Sequence, residues 1–190
     1  MSSKIIEKIK NYVEEECKKP TSKYGYEPFT YHFAPTAKYA EKLADELNAD
    51  KEIVIIASWL HDIGSIIHGR EDHHITGSEI AEEKLKEFGY PQEKIDLVKK
   101  CIFNHRGSKD GKGKTLEEKI LIEADTLSAF ENISGIFKAA FVYENKDQKS
   151  AQKAVKRKLQ NKWKQLHFEK SREIIKPRYE AAMLLLTDLE

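Results

Sequence analysis

Apolar residues recur along this chain at intervals of three and four, the spacing of one face of an α-helix. Nowhere do they alternate with the period of two that marks a half-buried strand. A first amphipathic helix is predicted over residues 3–19, with Ile5, Ile6, Ile9, Tyr12 and Val13 on one face and Pro20 ending it. After a turn-rich connection at 20–28, the pattern predicts a helix from Phe29 to Leu47, with Ala37, Ala40, Leu43, Ala44 and Leu47 inward. Asn48-Ala49-Asp50 breaks it, and Asp50 is placed to cap a helix from Lys51 to Asp62. Nearly every residue from Ile53 to Leu60 is apolar or small, so this third helix is expected to be buried over most of its surface. A loop is predicted at 64–73, following a stop at Gly64. A helix opened by His74 or Thr76 then runs to Phe88 and ends at Gly89-Tyr90-Pro91. Another runs from Pro91 to about Asn104, with Ile95, Val98, Ile102 and Phe103 inward. Past a basic loop at 107–115, Thr115 and Glu118 have capping-box spacing for a helix Leu116–Phe130. Helical segments at 135–145, 149–169 and 171–188 complete an all-α reading without internal repeats.

Composition narrows the class. Charged residues make up 34% of the 190 and hydrophobic ones 39%, the profile of a helical domain with heavily charged outer faces. One domain is expected over 1–190, its core at about 29–130, with C-terminal helices over 135–190. The net charge of +1 gives no global field toward nucleic acid or membrane. Locally, 149–178 holds 11 Lys and Arg against 2 acidic residues. Such a run is read first as the solvated side of a helix whose inner side holds Val155, Leu159, Trp163 and Leu166. Cys17 and Cys101 lack a CxxC partner and are expected as reduced thiols. No apolar run approaches the length of a membrane span, and the amino terminus is charged rather than signal-like, so a cytoplasmic location is expected.

Against this background His61-Asp62 stands out, because the most apolar helix of the chain drives straight into it. An imidazole and a carboxylate cannot be buried there without partners. Hydrogen bonds to neighbouring backbone would satisfy them singly; a divalent metal would satisfy both. Other residues repeat the situation. His32 lies early in its helix, His73 and His74 precede another, His105 closes a third, and Asp125 interrupts the apolar face of Ile120, Leu121, Ile122, Ala124 and Leu127. Together, several imidazoles and two carboxylates at element boundaries or on inward faces suit one or two divalent metals better than scattered hydrogen bonding.

The order His32, His61-Asp62, Asp125 resembles the H…HD…D pattern of the HD superfamily of metal-dependent phosphohydrolases. "IASWLHDIGS" is similar to that family's apolar helix running into HD, and "KILIEADTLSAF" to its last-ligand helix. "HHITGSEIAEEKL" and "IFNHRG" resemble the extra histidine segments of members that bind two metals, and "LHFEKS" at 166–171 is similar to the C-terminal part of small bacterial HD hydrolases. The resemblance implies an all-α HD-type bundle with a C-terminal helical extension. It implies His32, His61, Asp62 and Asp125 as primary metal ligands, with Asp62 bridging if two ions bind. His73 and His105 would complete a second site, with His74 the alternative to His73. The ion would be divalent: Mn, Fe, Mg, Zn, Co or Ni. "GYP" at 89–91 precedes His105, whereas cyclic-dinucleotide phosphodiesterases of the superfamily carry it afterwards, so no cyclic dinucleotide is assigned.

The implied chemistry is hydrolysis of a phosphate ester or anhydride, with a nucleotide favoured, through a metal-activated water whose pKa falls to roughly 7. Asp62, Asp125 and Arg106 are the candidate catalytic groups. Arg70, Lys109, Lys112 and Lys114 are further candidate phosphate contacts, and Glu71 and Asp72 could orient the water or hold a ligand histidine from behind. Two other readings stand beside it: a di-iron oxygenase on the same scaffold, and a non-enzymatic sensor or nucleic-acid-binding module built on 149–178 instead of the metal ligands.

Overall fold

The computed structural model describes residues 2–106 and 113–187, and the described residues form helices joined by short connections. The core is built around α3 (Lys51–Leu60), whose residues Ile53 to Leu60 are all buried. It touches α1 (Ser2–Lys18), α2 (Ala34–Leu47), α5 (His73–Glu87), α6 (Gln92–Asn104) and α7 (Leu116–Glu131). A helix that is apolar all round needs such a sleeve. The predicted N-cap holds: the Asp50 carboxylate accepts the Ile53 N–H at 3.2 Å. Thr115 likewise accepts from the Glu118 N–H at 3.3 Å. The Glu118 carboxylate, however, accepts from the Lys114 N–H and the Asn104 amide instead of closing the box.

Several boundaries differ from the sequence pattern, each for a local reason. The α2 helix is preceded by a π turn, Phe29–Phe33, in which the Ala34 N–H donates to the Phe29 carbonyl five residues back. Pro35 has no N–H for the Tyr31 carbonyl and its ring would crowd it, so the backbone widens before α2 begins. The third helix stops at Leu60 rather than Asp62, whose φ of −109° and ψ of 13° leave the helical region. The expected loop at 64–73 contains a short helix, α4 (Ile63–His68), because Ile63 and Ile66 are buried against the core. Gly64 therefore does not stop a helix. It lies within α4, where a Cβ would sit 2.4 Å from the His73 carbonyl oxygen and 2.7 Å from the Gly77 nitrogen. The next helix opens at His73, not His74 or Thr76, and Phe103 points outward, against the His74 ring.

The C-terminal part forms α8 (Ile133–Lys138), a second π turn (Ala139–Tyr143), α9 (Gln148–Gln165) and α10 (Glu169–Leu185). The helix expected to reach 169 ends at Gln165, because the chain turns extended at Leu166 and buries it. The buried Glu123 carboxylate on α7 accepts the His167 N–H just ahead of α10, docking the connection onto the core. Ala151, Val155 and Leu159 pack inward as expected, with Trp163 against them. Cys17 and Cys101 are buried free thiols, and burial pushes the Cys17 pKa up to about 12. Among the described residues no helix is long and apolar enough to cross a membrane.

Candidate metal centre

Six places in the fold deliver side chains to one point. The π turn supplies His32, the end of α3 His61, the residue between α3 and α4 Asp62, the first residue of α5 His73, and the end of α6 His105. Asp125 comes from the middle of α7. The two oxygens of Asp62 divide the site. Oδ2 lies 3.3 Å from His32 Nε2 and 3.8 Å from His61 Nε2, while Oδ1 lies 3.1 Å from His73 Nε2 and 3.5 Å from His105 Nε2. Asp125 Oδ1 joins the first group, 3.7 Å from His32 Nε2 and 3.9 Å from His61 Nε2. The structure thus brings together all six residues singled out as ligands. His74 stays outside, its ring beside those of His73 and Phe103.

The backbone decides which nitrogen each imidazole presents. His61 Nδ1 donates to the Ser58 carbonyl at 2.7 Å, His73 Nδ1 to that of Arg70 at 2.8 Å, and His105 Nδ1 to that of Ile102 at 2.5 Å. A carbonyl can only accept, so the neutral ring carries its proton on Nδ1 and offers a lone pair on Nε2. His32 Nδ1 meets the Ser128 hydroxyl at 3.1 Å; that hydroxyl lies 3.1 Å from the Asp125 carbonyl and 2.8 Å from Thr36 Oγ1. Glu71 and Asp72 take no part in holding His73, since the Arg70 carbonyl does so.

The result is a set of acceptors facing acceptors. His32 Nε2 and His61 Nε2 are 3.0 Å apart, with two carboxylate oxygens beside them. Such a group holds together only around a proton or a cation, and mixed imidazole and carboxylate donors suit a divalent first-row metal. His32, His61 and Asp62 form one potential metal cluster, and Asp62, His73 and His105 another. Protonation follows the same geometry. Burial drives the His61 pKa down to about 4. For His73 burial works the same way, but the Asp62 carboxylate outweighs it and the pKa is raised. Burial opposes ionisation of Asp62 too, yet the surrounding histidines hold its carboxyl well below the usual carboxylate range.

Above this floor opens a cavity of about 880 Å³. The α9 helix crosses it with Lys158, Asn161, Lys162 and Gln165, a stripe at helical spacing. This revises the reading of the basic run as a solvated face: one side packs, one side is solvated, and a third faces the site. Lys162 Nζ lies 2.6 Å from Asp125 Oδ2, an ion pair that the sequence reading missed. Its only sequence signal is the Lys158/Lys162 spacing of four. Arg106 is on the cavity wall. Arg70 is there too, but it is engaged by Glu144 at 2.7 Å. Lys114 is not among the lining residues, and Lys109 and Lys112 lie outside the described residues.

The family model described as HD domain matches residues 29–129, more than half of the chain. The chain belongs to the HD-domain family. Its fold is that of solved structures with low sequence identity. YpgQ of Bacillus subtilis in complex with ADP superposes with a TM-score of 0.73 at 22% identity, over 97% of this chain and 91% of that one. An HD-superfamily hydrolase of Bacillus thuringiensis gives 0.70 at 18%, over 97% and 94%. A predicted HD-superfamily hydrolase from an uncultured Thermotogales bacterium gives 0.62 at 24%, over 95% and 88%. By sequence, this HD protein is 28% identical over 140 residues to a tRNA (cytidine(56)-2'-O)-methyltransferase of Picrophilus torridus, covering 66% of this chain and 39% of that one. It is 34% identical over 82 residues to an uncharacterized protein of Clostridium beijerinckii, covering 41% and 52%. The chain thus spans about half, or less, of these curated relatives.

Proposed function

We propose that this HD protein is a metal-dependent phosphohydrolase that cleaves a phosphate ester or anhydride, with a nucleotide as substrate. The observation that carries the reading is the division of Asp62, each oxygen facing one imidazole pair, on the floor of a cavity with cationic walls. His32, His61, Asp62 and Asp125 would hold one ion, and Asp62, His73 and His105 a second. Bound ions would supply a water acidic enough to ionise near neutral pH and would neutralise phosphoryl oxygens. The protein's own groups do the rest. The Nδ1 bonds fix each imidazole before the ion arrives, so little ordering is left to complete on binding. Arg106 and Lys158 face the space where phosphate oxygens would lie. Burial, with Arg70 and Lys162 nearby, lowers the Lys158 pKa to about 8, which leaves it in need of an anion. The ADP bound by YpgQ supports a nucleotide, and the cationic wall favours phosphate chemistry over an oxygenase. We take the chain to act as one unit, because its two apolar clusters share α2, α3 and α7.

The test is metal analysis of the purified chain followed by phosphate or pyrophosphate release from a panel of nucleotides with Mn²⁺. Release that disappears with chelator and returns with metal is expected. A metal-loaded protein inert on the panel and turning over a substrate only with oxygen would replace this reading by the oxygenase.

Acidification is expected to empty the two sites in order. A proton on His73, whose pKa is raised, competes with metal at mildly acidic pH, whereas His61 stays neutral down to about 4. Lowering the pH should therefore weaken Mn²⁺ binding at the His73 site more than at the His61 site. Parallel weakening of both sites would refute this order.

A further inference from the structure

The α9 helix lies wholly outside the 29–129 segment matched by the family model, yet it reaches the floor of the cavity at one atom. Lys162 Nζ sits 2.6 Å from Asp125 Oδ2, and the two side chains are 11% and 14% exposed. The other oxygen, Oδ1, is the one turned toward His32 and His61. Asp125 is thus shared between a fixed cation behind it and the acceptor group in front. Among the described residues the ion pair of Lys162 is with Asp125, and the nearest buried carboxylate along α7, Glu123, is engaged by the His167 N–H.

Resting on the metal-centre reading above, we propose that Lys162 is a positioning residue for Asp125. It holds Oδ2 so that Asp125 offers one oxygen, not two, to the ion beside His32 and His61. Two consequences follow. A carboxylate limited to one oxygen leaves a coordination position free for water. A fixed positive charge close to a divalent ion also opposes its binding, and a partly buried pair is screened little by solvent. The α9 helix would then weaken metal affinity, trading tightness for an open position.

This reverses the usual expectation for a residue at a metal centre, because removing it should tighten binding. Mn²⁺ titrated calorimetrically into the full, chelator-stripped chain decides the matter. Lys162→Met is expected to bind about tenfold or more tightly at the site beside Asp125, with a smaller change at the more distant second site, as removal of a nearby like charge requires. Lys162→Arg, which keeps both charge and grip, should return to within about threefold of the parent. Lys162→Gln can keep a hydrogen bond to Oδ2 without the charge, should also tighten, and serves if the methionine variant folds poorly. Melting temperatures measured alongside identify poor folding. Equal or weaker Mn²⁺ binding by well-folded Met and Gln variants overturns the proposal and leaves the metal centre standing. A parent chain that takes up no Mn²⁺ overturns the metal-centre reading itself.

Discussion

Asp62→Asn is expected to fold as well as the parent and to lose almost all hydrolytic activity. The substitution keeps the volume, so the packing of Ile53 to Leu60 behind it is untouched. In the metal-free protein the new amide can donate to an Nε2 lone pair at the 3.1–3.8 Å positions where the carboxylate stood, so the melting temperature should change little. What disappears is the anion between two groups of imidazoles. One carboxylate oxygen serves each group, and an amide nitrogen cannot bind a cation. Mn²⁺ stoichiometry should fall, and turnover should drop by several orders of magnitude, ~4 kcal/mol or more of transition-state stabilisation. Melting temperature, bound metal and phosphate release, measured on the one variant, separate this from a structural aspartate. A destabilised protein with metal and turnover intact would remove Asp62 from the centre of the site.

Gly64→Ala should produce the converse: a chemically complete site that no longer comes together. One methyl group would stand 2.4 Å from the His73 carbonyl oxygen, 2.5 Å from Thr76 Oγ1 and 2.7 Å from the Gly77 nitrogen. The hydroxyl can rotate away, but the two backbone atoms cannot. Separation of α4 from the first turn of α5 is the only relief, and that turn carries His73. The cost is that of severe overpacking, ~3 kcal/mol, or a melting point lower by roughly 6–12 °C for a chain of this size. Because the displaced turn bears one ligand group only, binding at the His73/His105 site should be lost before that at His32/His61. A variant with parental melting temperature and two bound Mn²⁺ would show that α4 and α5 are not held this close in solution.

The same contact marks where sequence pattern stops being informative. Periodicity reports which face of a helix is buried, and for α1, α3 and α6 it does so almost residue by residue, Phe103 excepted. It is silent on where two backbones touch, so Gly64 reads as a terminator when it is a point of close approach. The residues of the centre stand out, together with His74, because burying imidazoles and carboxylates is costly enough to be conspicuous in an apolar pattern, and only the resemblance to the HD pattern separates His73 from His74. Lys162 is not, because a lysine in a basic helix costs nothing to explain. Nor are Thr36 and Ser128: a hydroxyl on a buried helix face ordinarily bonds to its own backbone, as Thr36 does to the His32 carbonyl at 2.7 Å. Their meeting beneath His32 depends on how α2 and α7 pack, a fact of three dimensions.

Three of the histidines are oriented by carbonyls three residues upstream in the same stretch of chain. Every residue type has a carbonyl, so mutation at Ser58, Arg70 or Ile102 removes nothing that aims the ring. Each histidine with its preceding turn behaves as a self-sufficient module, transferable into a new sequence as long as the local backbone path is kept. Drift in the surrounding residues therefore leaves the aim of those rings intact. His32, aimed through Ser128 and Thr36, is the exception, and substitutions at those two hydroxyls are where such drift would first be felt.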